Sequence, residues 1–169
     1  MHVANTDRLH LRHIETEDAG FILGLLTEPA FLKYVGDKEV RDLDTAQSYI
    51  LQGPIASYET YGFGLYLVEL LDSSEPIGIC GLLKRSFLEN ADLGFALMPD
   101  HRGHGYAFEA AQATIDLARN TLKLPKLVAF TAGNNIRSVK LLQKLGMSFD
   151  KLIALPGSDK EVKLFSLRL

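Results

Sequence analysis

Residues 93–109 read Leu-Gly-Phe-Ala-Leu-Met-Pro-Asp-His-Arg-Gly-His-Gly-Tyr-Ala-Phe-Glu, and they carry the strongest chemical signal in the chain. The pattern is a half-buried strand, a Pro-Asp turn, and a glycine-rich corner that opens directly into a helix. A strand that feeds glycines into a helix N-terminus leaves several backbone N–H groups without acceptors at one point. With the positive end of the helix dipole, they make a site for phosphate. The chemistry predicted from these residues is the holding of a phosphorylated cofactor.

Two better-known phosphate motifs do not fit. The dinucleotide fingerprint wants a third glycine at position 108, where this chain has Phe108, and the Gly-Lys-Ser/Thr of a P-loop is absent. Gly-x-Gly before a helix also occurs as plain turn chemistry, so the corner alone leaves that alternative open. His101 and His104 flank it. Without an acidic or cysteine partner nearby they make a poor metal site, so no metal is expected and a surface position near phosphate is.

The elements that must position this corner follow from periodicity and turn residues. Arg8–His13 alternates polar and apolar residues as a strand with one wet face, which would carry His10 and His13. Ala19, Phe21, Ile22, Leu25 and Leu26 recur at helical spacing, with Thr16 as N-cap. A second helix starts at Asp44 or Thr45 and is interrupted at Gly53-Pro54. Residues 62–71 and 77–87 form a hairpin across Asp72–Pro76, and Asp92–Met98 adds a third strand. The helix from Gly105 to about Leu122 puts Ala107, Ala111, Ile115, Ala118 and Leu122 on one stripe, suited to close packing on a sheet. Lys126–Thr131 then returns as a strand after a crossover. Asn135 caps a helix ending near Gly146, and residues 148–155 and 162–169 close the chain as a second hairpin. The class is α+β: helices on both faces of a mixed, mostly antiparallel sheet of about seven strands.

Bulk properties bound the rest. A chain of 169 residues suits one domain over residues 1–169, and 47% hydrophobic with 23% charged residues is ordinary for a soluble globular protein. A net charge of −3 gives no electrostatic footprint for nucleic acid. Cys80, the one cysteine, excludes an intramolecular disulfide and lies in an apolar run as a small buried hydrophobe. No leader and no long apolar run appear, so the expectation is a cytoplasmic protein without membrane attachment.

Four segments in order resemble the GNAT superfamily of N-acetyltransferases, and within it the branch of the ribosomal-protein N-terminal acetyltransferases. They are Thr6-Asp-Arg-Leu-His-Leu-Arg12, Pro76-Ile-Gly-Ile-Cys-Gly-Leu82, Asp92–Pro99 with Arg102-Gly-His-Gly-Tyr-Ala107, and Asn135-Ile-Arg-Ser138 with Lys144-Leu-Gly-Met147. Arg102-x-x-Gly105-x-Ala107 matches the superfamily's pyrophosphate signature. The resemblance implies a three-layer α/β/α sandwich whose fourth and fifth strands splay apart, with acetyl-CoA as co-substrate and a primary amine as acceptor. It assigns the pyrophosphate to Arg102, Gly103, His104, Gly105, Tyr106 and Ala107, and the pantetheine arm to the strand edge at Phe95, Ala96 and Leu97. A backbone N–H there would polarise the thioester carbonyl.

The same resemblance sets the catalytic candidates. Amines are mostly protonated near neutral pH, with pKa about 8 for an α-amine and about 10.4 for Lys, so a base must act. The branch often places an acid where Asp92 stands, which is either that base or a solvated strand-end carboxylate. Ser138 would hydrogen-bond the leaving sulfur or order a water, or is simply a first-turn serine. Asn135 is a helix cap, a cofactor contact, or both. Leu142 stands where many members carry the tyrosine that acts as general acid, and that departure keeps open a non-catalytic acyl-CoA sensor on the same fold. The acceptor could be a protein N-terminus, polyamine, amino acid or aminoglycoside-like amine. Glu28, Asp37, Glu39, Asp42 and Asp44 hint at an acidic pocket, in a region whose aromatics Phe31, Tyr34, Tyr49, Tyr58, Tyr61 and Phe63 belong mostly to the core. Homodimers are common in the superfamily, and the terminal hairpin offers an edge for pairing.

Overall fold

The computed structural model describes residues 1–169. Eight strands form one sheet in the order β1-β2-β3-β4-β5-β6-β8-β7. They are β1 His2–Asn5, β2 Leu9–His13, β3 Leu65–Leu70, β4 Pro76–Leu83, β5 Asp92–Leu97, β6 Lys126–Thr131, β7 Ser148–Ala154 and β8 Glu161–Arg168. Every neighbouring pair is antiparallel except β5 and β6, which are parallel because α5 (Tyr106–Asn120) crosses between them. That pair touches in register only at Asp92 and Val128, and β6 otherwise pairs with β8. The sheet therefore opens between β5 and β6 beyond Asp92.

Both faces are covered. In β3, Tyr66 and Val68 pack toward the core under α5, whereas Leu65 and Leu67 pack toward the core of the first helices. An uninterrupted apolar run is what a strand buried on both faces requires. Helix α5 lays Ala110, Ala111, Thr114, Ile115 and Ala118 on the first face, beside α6 (Ile136–Lys144). The other face carries α1 (Ala19–Leu26), α2 (Pro29–Tyr34), α3 (Leu43–Ile50) and α4 (Ala56–Tyr61). Cys80 is buried as expected, its thiol pushed up to about 12 by burial. A Cβ at Gly78 would collide with the Ala96 carbonyl oxygen, so glycine there lets β4 lie tight against β5. No helix is long and apolar enough to cross a membrane.

Several local expectations change. The sheet gains β1, paired to β2, so it has eight strands rather than about seven. Thr16 is not the N-cap: it lies inside a 3-10 turn, Thr16–Asp18, where Glu15 is the cap and its N–H donates to Asp18. The helix starts slightly earlier than expected, at Leu43, where Asp42 caps α3 by accepting from Thr45 N–H at 2.8 Å. Gly53-Pro54 does not interrupt the helical path. A π-helical segment, Leu51–Ile55, carries it from α3 into α4, which absorbs the proline's missing donor. His10 and His13 do not share a face. His10 bonds Glu69 at 3.1 Å, while His13 stacks on Tyr58 at 3.8 Å, as strand alternation requires of residues three apart.

Candidate active site

The opening between β5 and β6 leads into a cleft of about 1570 Å³. Its floor is β5. Met98 N–H donates to Ile77 oxygen at 2.8 Å, and antiparallel pairs alternate, so Ala96 faces Ile79 as a bonded pair and commits its backbone to β4. Phe95 and Leu97 therefore turn their backbone groups to the open side. This corrects the expectation for Ala96, which contributes to the cleft wall but not to strand-like pairing. On the open edge the Leu97 carbonyl is already taken, by Arg102 Nε at 3.2 Å and Nη2 at 2.9 Å. What remains for an incoming chain is Phe95 N–H, Phe95 carbonyl and Leu97 N–H.

Beyond β5 the chain makes the glycine corner. Gly103 and Gly105 have φ of +80° and +81°, a region that side chains rarely adopt. The first backbone bond of α5 runs from Glu109 N–H to Gly105 oxygen. Consequently none of the N–H groups from Gly103 to Phe108 has a protein acceptor. They collect at the start of a 15-residue helix, where the dipole adds positive potential. Arg8 braces the corner from below. Its Nη1 donates to His104 oxygen at 3.0 Å, its Nε pairs with Glu109 at 2.9 Å, and its guanidinium lies 4.4 Å over the Tyr106 ring.

Arg102 does not offer its charge to this corner. Besides Leu97, its Nη2 holds Glu28 at 2.8 Å, and Glu28 also caps α2 by accepting from Phe31 N–H. The side chain is a clamp between the start of α2 and the end of β5. Both partners are half-buried or better, so Arg102→Ala is expected to destabilise the protein by about 2–3 kcal/mol, as loss of a partly buried, multiply bonded charge does. Thermal unfolding checks this; a melting temperature equal to wild type would mean the clamp carries no stability. His104 is exposed and outside the cleft lining, so its ring does not face the site. His101 does have an acidic neighbour, Glu75 at 3.6 Å, contrary to the sequence expectation.

Asp92 lies at the point where β5 and β6 part. It is 2% exposed, which overturns the reading of a solvated strand-end carboxylate. Burial pushes its pKa up to about 6, although Arg85 Nε pairs with Oδ1 at 3.0 Å and pulls the other way. The guanidinium carbon of Arg85 stands over Phe130, 4.9 Å from the ring centroid. Lys38 reaches into the same region from the coil after α2. The residue is exposed, but partial desolvation and then the Arg85 charge lower the pKa of its ammonium. Across the cleft, Asn135 caps α6 by accepting from Ser138 N–H at 3.4 Å, as expected, and the Ser138 hydroxyl bonds no other protein group. Leu142 is buried in the core behind α6 and stands away from the lining.

The acidic stretch does not line the cleft; Asp42 and Asp44 instead border a small separate hollow with Arg41. Glu28 and Asp42 are helix caps, Asp37 pairs with Arg41 at 2.6 Å, and none of these, nor Glu39 or Asp44, lines the cleft. Among the named aromatics only Phe31 and Phe63 are buried, whereas Tyr34, Tyr49 and Tyr61 join Phe31 in the cleft wall. Sequence reasoning missed Arg8, Lys38 and Arg85. Arg85 had a usable signal, since closing the β4–β5 hairpin pairs Leu83 with Asp92 and brings the next residues alongside.

Comparison with known proteins places this geometry. Residues 8–148 match the family described as "Acetyltransferase (GNAT) domain". The chain is 31% identical over 175 residues to an uncharacterized N-acetyltransferase, p20, of Bacillus licheniformis, covering 99% of this chain and 96% of the relative. An acetyltransferase from Agrobacterium tumefaciens superposes with a TM-score of 0.82 at 29% identity, over 97% of this chain and 92% of that one. RimL, a ribosomal-protein α-N-acetyltransferase solved in complex with coenzyme A, shares the fold at a TM-score of 0.83 and 15% identity, over 100% and 98% of the two chains.

Proposed function

Because the chain belongs to the GNAT acetyltransferase family, we propose that it transfers the acetyl group of acetyl-CoA to a primary amine by direct attack within a ternary complex. The observation that carries this reading is one cleft holding three features together: free N–H groups from Gly103 to Phe108, an unpaired edge of β5, and a buried carboxylate at Asp92. The N–H run fits a pyrophosphate. Phe95 and Leu97 fit the amides of a pantetheine arm as an added strand would. When bound, acetyl-CoA supplies a thioester carbonyl open to attack.

The residues then divide the work. Asp92 takes a proton from the acceptor ammonium, leaving a neutral amine that forms the new C–N bond as the C–S bond breaks. Its pKa of about 6 leaves it charged, and able to accept, at neutral pH. Arg85, paired to Asp92, assists before any proton moves, because a cation beside an ammonium favours its neutral form. Phe95 N–H, on the open edge, donates to the carbonyl oxygen as negative charge builds there. Asn135 fixes the first turn of α6, and Ser138 presents its unpaired hydroxyl to the departing sulfur, which takes up the second amine proton through solvent. No tyrosine is needed at position 142, which belongs to the core.

The test is amine-dependent release of the CoA thiol by the intact protein, with the acetylated amine identified by mass spectrometry. Acetyl-CoA binding without transfer to any amine would contradict the reading. Ser138→Ala is expected to lower kcat by about tenfold, the scale of one hydrogen bond to a charged group, while acetyl-CoA affinity stays within about threefold. An unchanged kcat would remove Ser138 from the mechanism.

A further inference from the structure

Charge around Asp92 restricts which amine can enter, a point that rests on the acetyl-transfer reading. Asp92 is the only acid lining the cleft, and Lys38, Lys84 and Arg85 line it in the same region. The carboxylate of Asp92 offsets one of these charges, that of Arg85. Lys84 donates to the Leu88 carbonyl, and Lys38 has no ion pair. This cationic group cannot double as the pyrophosphate site. Between Asp92 and Leu97 the strand advances roughly 17 Å at about 3.4 Å per residue, and the glycine corner lies beyond Leu97.

Arg85 has a particular geometry. Its Nε donates to Asp92, its guanidinium carbon stands over the Phe130 ring, and its two terminal nitrogens make no hydrogen bond within the protein. A guanidinium held this way presents a pair of parallel N–H groups, the fork that matches a carboxylate. Because Arg85 touches Asp92, an anion on that fork and an amine on Asp92 are separated by only a short span. A polyamine would set further positive charge against Lys38, Lys84 and Arg85, and like charges without counterions repel.

We infer that the acceptor carries a carboxylate close to its reactive amine, with Arg85 and Lys38 recognising the carboxylate while Asp92 serves the amine. Such an acceptor is either a free amino acid, through its α-carboxylate, or a peptide whose N-terminal residue has an acidic side chain. Both present the same pair of groups.

Binding of product-like probes tests this without turnover. Protein saturated with CoA is titrated by calorimetry with N-acetylalanine against N-acetylalaninamide, and with acetyl-Asp-Ala-amide against acetyl-Asn-Ala-amide. In at least one pair the acid is expected to bind about tenfold tighter than its neutral partner, and the preferred pair identifies the source. Lys38→Gln, in an exposed coil, is expected to remove most of that preference while the neutral probes bind as before. Equal binding within both pairs, or tighter binding of N-acetylspermidine than of either acid, overturns the inference even if an amine is acetylated. A preference for acids without acetyl transfer to any amine would uphold the carboxylate site and overturn the proposed reaction instead.

Discussion

Asp92→Asn lowers kcat/KM for acetyl transfer by about 10²–10⁴-fold, the range a positioned general base contributes. The amide keeps the shape of the side chain and an oxygen for Arg85 Nε, but it cannot hold a proton at neutral pH. In wild type the rate is expected to rise with pH through about 6, because burial has raised the Asp92 pKa to that value and only the carboxylate accepts a proton. The variant loses this limb, and its residual rate follows the ionisation of the amine in water. Stability runs the other way. A carboxyl whose folded pKa lies above its ordinary value contributes most when protonated, and that contribution is lost as pH rises through about 6. The substitution therefore removes a charge that costs stability at neutral pH, and a melting curve recorded beside the kinetics separates loss of chemistry from loss of fold. A pH–rate profile within about threefold of wild type throughout would exclude Asp92 as the base.

Gly105→Val is expected to weaken acetyl-CoA binding on the order of a hundredfold, about 2.7 kcal/mol. Gly105 sits at φ +81°, and a side chain there costs roughly 1–2 kcal/mol in the left-handed region, more for a branched one. A Cβ would also lie 3.3 Å from Arg8 Nη2, whose sister nitrogen holds the His104 carbonyl. The corner escapes by changing conformation, which turns N–H groups away from the phosphate, and losing one or two charge-assisted bonds has about this magnitude. Helix α5 and the sheet beneath are not involved, so a cooperative melt should persist. A dissociation constant within about threefold of wild type would show that the corner is turn chemistry only.

The sequence made the corner legible because its signals are local. Gly103 and Gly105 act within one turn, the alanine-rich stripe of α5 repeats along a single helix, and Asn135 announces α6 through its own side chain. The β3–β4 hairpin was readable for the same reason, since residues 72–76 form a turn between two apolar runs. Strand β1 was not, because His-Val-Ala-Asn has no apolar contrast and is fixed only by pairing with β2. Helix α2 has six residues, too few to show a period. Arg102 reads as a phosphate ligand from the signature it opens, whereas its partner Glu28, 74 positions away, is visible only in the fold. The burial of Asp92 and its company of cations are tertiary facts. They depend on the first-helix layer closing over the sheet, with Lys38 arriving from a coil that carries no pattern of its own.

The cofactor site stands or falls on calorimetric titration of the intact protein with acetyl-CoA, with ATP as the control phosphate ligand. The expected result is one acetyl-CoA per chain, bound at micromolar concentration, with ATP far weaker because it lacks the arm that pairs with Phe95 and Leu97. No binding of acetyl-CoA by protein that still melts cooperatively, or equal binding of ATP, would contradict it.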